Sequence, residues 1–266
     1  MNTVITWVKR HPLITFFILT YALTWATAPL IGGVIPQIPF LTVVIVLALS
    51  EGKQGLKALL RQATHWRVGW QWYLIAPGIV AIINFGAVGL NLLLGAHISP
   101  SYEPLPVAYL LEGIFIVMLF GMWEEPGWTG YALPRLRVGR SLLLATLILA
   151  GLRTLWHLPL FLSGDIPWSD IVLNVAAQVI ISWLYYRTNR SLLIVMLLHF
   201  SSNYIYAALV SEPGLFEGGN LIQFAWLEAG LATLIALSLI VFDRQLWFAP
   251  ASSAQPEIVT ASVARV

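Results

Sequence analysis

A few ionisable side chains interrupt long apolar stretches of the chain: Glu112, Glu124, Glu125, Arg153, His157, His199 and Glu228. Such groups are costly in an apolar medium, so each marks a functional site unless it pairs inside a helical bundle. Glu124 and Glu125 stand in Trp123-Glu124-Glu125-Pro126-Gly127-Trp128-Thr129-Gly130-Tyr131. One carboxylate can activate a water as general base while its neighbour orients another group. Adjacent helical residues point about 100° apart, from roughly 3.6 residues per turn, so the two are not expected to face one point equally. A plain pair of interfacial carboxylates is the structural alternative.

His157, in Leu155-Trp156-His157-Leu158-Pro159, can share a proton with water or bind a divalent metal. Otherwise it is a histidine bonded to the next helix. Pro159 interrupts the local hydrogen-bond ladder, either opening backbone beside the imidazole or only kinking the helix. His199 and Asn203 are four apart and share a helix face. Together they can form a hole for a developing oxyanion, supply a second nitrogen ligand, or glue helices together. Glu112 and Glu228 belong to no motif and are expected to be paired structurally or exposed at an interface.

The elements that must carry these residues are membrane helices. The 266 residues are 59% hydrophobic and 10% charged, with 12 Trp, 9 Tyr and 12 Phe. Mean hydropathy is +0.82. A soluble domain carries about 25% charged residues, so the bilayer is the expected solvent, with aromatic belts at its two faces. No cysteine is present, which excludes a disulfide framework, a thiolate nucleophile and sulfur ligands. The chain is read as all-α, a polytopic bundle of about eight spans with both termini cytoplasmic. The spans lie near 12–34, 36–50, 71–96, 105–123, 141–163, 168–186, 191–210 and 221–242. Of the 14 basic residues, only Arg153 falls away from the side assigned to the cytoplasm. The same distribution accounts for the pI near 9.0 without a nucleic-acid partner. Lys9 and Arg10 before an apolar run ending in Ala26-Thr27-Ala28 resemble a secretory signal, but Pro29 disfavours cleavage and a retained first span is expected. The stretch between Glu51 and Trp72 reads as an amphipathic helix at the interface. Residues 1–247 form one membrane domain with its core motifs in 105–210, and 248–266 are expected to be a disordered tail.

Taken in order, these motifs resemble the CAAX-protease and bacteriocin-processing family of intramembrane peptidases, also called CPBP or ABI. Its first motif is Glu-Glu, three variable residues and Arg, matched at Glu124 and Glu125 and continued by Gly130-Tyr131-Ala132-Leu133-Pro134-Arg135-Leu136. Its second is an aromatic four residues before a His, matched at His157 within Trp156-His157-Leu158-Pro159-Leu160-Phe161. Its third is His and, four on, Asn or Asp, matched by His199 and Asn203. The resemblance implies an endopeptidase acting on a membrane-embedded or lipidated substrate. In it Glu124 and His157 activate water, Glu125 assists, and His199 with Asn203 stabilises the oxyanion. Glu124, His157 and His199 would also suffice as three zinc ligands. Two positions depart from the motifs: Thr129 replaces the first Arg, and Arg153 replaces the second aromatic. Arg153, one turn before His157, is expected to supply the guanidinium that Thr129 cannot, pairing with Glu125. Failing that, the chain is a non-catalytic scaffold or immunity protein of the same fold.

Overall fold

The computed structural model describes residues 2–103, 106–210 and 214–249. Its elements are helices: α1 (Asn2–Arg10), α2 (Pro12–Ile31), α3 (Ile38–Ser50), α4 (Gly52–Ala63), α5 (Gln71–Leu93) and α6 (Val107–Phe120), then a π-helical segment, Pro126–Ala132, and the single turn α7 (Leu133–Leu136). They continue as α8 (Leu142–Trp156), α9 (Leu158–Ser163), α10 (Ser169–Arg187), α11 (Leu192–Val210), α12 (Gly218–Phe242) and α13 (Arg244–Phe248). Helices dominate because lipid offers backbone groups no partner, so each span must satisfy its own N–H and C=O groups.

Five helices, α2, α5, α10, α11 and α12, are long and apolar enough to cross a membrane, and α3, α6 and α8 are shorter apolar helices. These correspond to the eight expected spans. α10 is the most enclosed, with half of its apolar window buried, and packs on α8, α11 and α12. The amphipathic α4 lies within the stretch from Glu51 to Trp72, as its pattern of Leu with Lys and Arg requires. Phe248 ends α13, while residues 250–266 of the expected tail lie outside the described residues.

Two span boundaries differ from expectation, and both matter for the site. The fourth span does not end at 123. α6 stops at Phe120, where Gln37 at the start of α3 donates to the Leu119 carbonyl at 2.9 Å. The chain then turns and runs beside α3. Gly127 lies so close to the Pro39 backbone that a Cβ would sit 2.7 Å from its carbonyl oxygen, and Arg135 pairs with Glu51 just beyond the end of α3. The π-helical segment therefore completes the span, and all seven of its residues are buried. The fifth span breaks at His157 into α8 and α9. Pro159 has no N–H to continue α8, and its fixed φ suits the first turn of a new helix.

α8 is held against α2 by polar contacts: Tyr21 Oη donates to the Leu152 carbonyl at 2.7 Å and Trp156 Nε1 to Thr24 Oγ1 at 2.7 Å. Trp156 also meets Trp128 of the π-helical segment edge-on, with ring centroids 5.8 Å apart. Trp156→Phe keeps a ring in place but loses the hydrogen bond and part of the buried indole. It is expected to cost more than the roughly 0.6–2 kcal/mol of an interhelical bond in membranes, measured as a lower thermal midpoint in detergent.

Of the two carboxylates outside the motifs, Glu112 is exposed, as expected. Glu228 is not interfacial: it is only 3% exposed and makes no hydrogen bond or ion pair among the described residues. Its helix α12 packs on α5 and α10, which turns that residue into the bundle.

Candidate active site

Both carboxylates leave the turn between α6 and the π-helical segment and enter the protein interior, with Glu124 6% and Glu125 0% exposed. The expected divergence of adjacent side chains is overcome by their partner. Arg153 on α8 presents two separate nitrogens, Nη2 at 3.0 Å from Glu124 Oε2 and Nη1 at 2.9 Å from Glu125 Oε1. A single guanidinium thus bridges two residues that one donor atom could not. The expected pairing of Arg153 with Glu125 is present, and Glu124 is drawn in as well.

The two carboxylates are used differently. Glu125 is saturated: Oε1 also meets His199 Nδ1 at 2.7 Å, and Oε2 accepts from Thr129 Oγ1 at 2.5 Å. Thr129, four residues on, therefore bonds the carboxylate directly where an Arg is absent. Glu124 commits only Oε2, and among the described residues its second oxygen has no donor.

The two histidines have their proton positions set by their neighbours. Glu125 can only accept, so the 2.7 Å contact assigns a proton to His199 Nδ1. The 3.3 Å approach of Arg153 Nη2 to that same nitrogen is then a contact between two donors. For His157 the partner is the Arg153 carbonyl, 3.0 Å from Nδ1. That carbonyl is available because the helix breaks here: the His157 amide donates to the Thr154 carbonyl at 3.1 Å instead of to the residue four back. With Nδ1–H committed in each ring, Nε2 of both is an acceptor.

His157 makes no direct bond to Glu124, but lies within electrostatic reach of Glu124 and His199. Asn203, one turn after His199, reaches the turn and not the carboxylates: Nδ2 donates to the Gly121 carbonyl at 2.5 Å. It thereby fixes the bend that delivers Glu124, and its second N–H remains uncommitted. Among the described residues no three His, Asp or Glu side chains are grouped to hold a metal ion. The Arg153 guanidinium touches Glu124, Glu125 and His199.

Sequence reasoning missed Gln178 and Ser182 on α10. Gln178 Oε1 accepts from Arg153 Nη1 at 3.3 Å, and its Nε2 donates to Ser182 Oγ at 3.3 Å. Both are fully buried. Their spacing of four within an apolar helix was the available signal.

Residues 106–205 match the family described as type II CAAX prenyl endopeptidase, Rce1-like. Every motif residue discussed above falls within that range. A curated protein from Methanococcus maripaludis, named CAAX prenyl protease 2, is 23% identical over 195 residues. The alignment covers 66% of this chain and 66% of that relative's length.

Proposed function

We propose that this chain, which belongs to the CPBP family, is an intramembrane endopeptidase that cleaves a membrane-associated or lipidated protein by attack of activated water. The observation that carries this reading is the asymmetry of the adjacent carboxylates, one saturated by three donors and one with a free oxygen. A general base needs an oxygen open to the water, and of the two carboxylates Glu124 is the one with an oxygen that meets no donor among the described residues.

In this reading Glu124 takes the proton of a water that also donates to Nε2 of His157. The resulting hydroxide attacks the scissile carbonyl. The second N–H of Asn203 hydrogen-bonds the oxyanion, and His199, one turn away and held by Glu125, lines the same hole. Glu124 then passes its proton to the leaving amine, so no net proton is gained or lost by the protein. No step runs through a metal ion. The relative's name supports a prenylated CAAX-type C-terminus as substrate, and the plasma membrane is the proposed location.

The test is cleavage of a panel of lipidated reporter peptides by detergent-purified protein, comparing wild type with His157→Ala, with and without chelator. Cleavage by wild type that chelator leaves intact and His157→Ala lowers by about 10²-fold or more is expected. Absence of cleavage by folded wild type across the panel would overturn the enzymatic reading. Loss in chelator would overturn its metal-free form.

A further inference from the structure

One buried polar side chain beside the carboxylates has no part in the water chemistry. A guanidinium ordinarily engages one carboxylate through two parallel bonds, a planar fork meeting two oxygens. Arg153 does not do this. It divides its two nitrogens between Glu124 and Glu125, which leaves one oxygen of Glu124 free. Something must hold the guanidinium plane away from the fork. Gln178 is placed to do so, because its Oε1 accepts from Nη1 at 3.3 Å, the same nitrogen that meets Glu125. Its own rotation is set by the bond from Nε2 to Ser182 Oγ one turn along α10. α10 has the largest buried share of the five long apolar helices, so Gln178 is held on a well-packed support.

We propose that Gln178, oriented by Ser182, is a positioning residue that keeps Arg153 divided between the two carboxylates and so keeps Glu124 aimed at its water. This rests on the peptidase reading. Without Gln178, Nη1 and Nη2 can close as a fork on Glu125, releasing Glu124 from its place.

The experiment measures kcat, KM and thermal midpoint for the full-length protein carrying Gln178→Leu, Ser182→Ala, Arg153→Lys, or Gln178→Leu with Arg153→Lys. Gln178→Leu is expected to lower kcat by about 10-fold or more with KM within about 2-fold, as misplacement of a catalytic group does. Ser182→Ala should lower kcat by about 3-fold. Lysine cannot divide itself in the same way, so Gln178→Leu should have no further effect on kcat in the Arg153→Lys background, a non-additivity that a merely structural role would not produce. An active wild type with unchanged kcat in Gln178→Leu overturns the inference, as does full additivity with Arg153→Lys. If Gln178→Leu fails to fold, unchanged kcat in Ser182→Ala overturns it. An inactive wild type removes the peptidase reading and this inference together.

Discussion

Replacing Glu124 with Gln should lower kcat by about 10²–10⁴-fold, the usual contribution of a general base, while the protein folds and melts almost as wild type does. The carboxamide fills the same space and its oxygen can still accept from Arg153 Nη2, but it cannot take a proton from water. The same change at Glu125 has a different expected outcome. Arg153, His199 and Thr129 all donate to Glu125, and an amide offers them one acceptor oxygen and a competing donor. Glu125→Gln should therefore lower the thermal midpoint as well as the rate. The comparison needs only initial rates and melting curves of the two purified variants. Equal stability and equal rate loss in both would contradict the unequal roles argued from their contacts.

Arg153→Met should be the most destabilising single change at the site. It leaves Glu125, which is 0% exposed, as a buried charge without its cation. Breaking such a pair costs about 3–5 kcal/mol, visible as a large fall in thermal midpoint and in the yield of folded protein. Because position 129 already touches Glu125, a guanidinium can also be supplied from there. Thr129→Arg combined with Arg153→Phe should recover much of the stability and activity lost by Arg153→Met. Failure of that double variant to recover either property would show that Arg153 does more than neutralise the carboxylates.

The fold was legible because lipid imposes a simple rule. Apolar runs must be helical, and the eight expected spans match five long and three shorter apolar helices. The boundaries beside the site were not legible, and for one reason. A run of apolar residues marks membrane depth but not whether its backbone stays α-helical. Pro126 and Pro159 are the visible clues, yet neither distinguishes a kink from a break or a π-helical segment. With the fourth span ended at 123, Glu124 stood at the end of one helix and His157 beyond the middle of the next. Extending that span through Ala132 removes the conflict. The link from Arg153 to Glu125 could be argued from one-turn spacing to His157, since charge seeks charge in a bundle. Gln178 could not, because an uncharged amide in a span announces no partner until neighbouring helices are set beside it.

The residues that Arg153 neutralises lie in the span immediately before its own. During synthesis each span passes in turn from the translocation channel into lipid, where a lone Arg at mid-helix costs about 2.5–3.5 kcal/mol on insertion scales. Glu124 and Glu125 come before Arg153 in the chain, separated from it by the π-helical segment, α7 and most of α8. The opposite charges can therefore meet within one helical hairpin as it leaves the channel, before α10 and α11 exist to enclose them. The penalty that each span would incur alone is reduced at the moment of partition. The ion pair that arranges the site thus also favours insertion of the two spans as a unit, and Gln178 and His199 join a charge pair that is already formed.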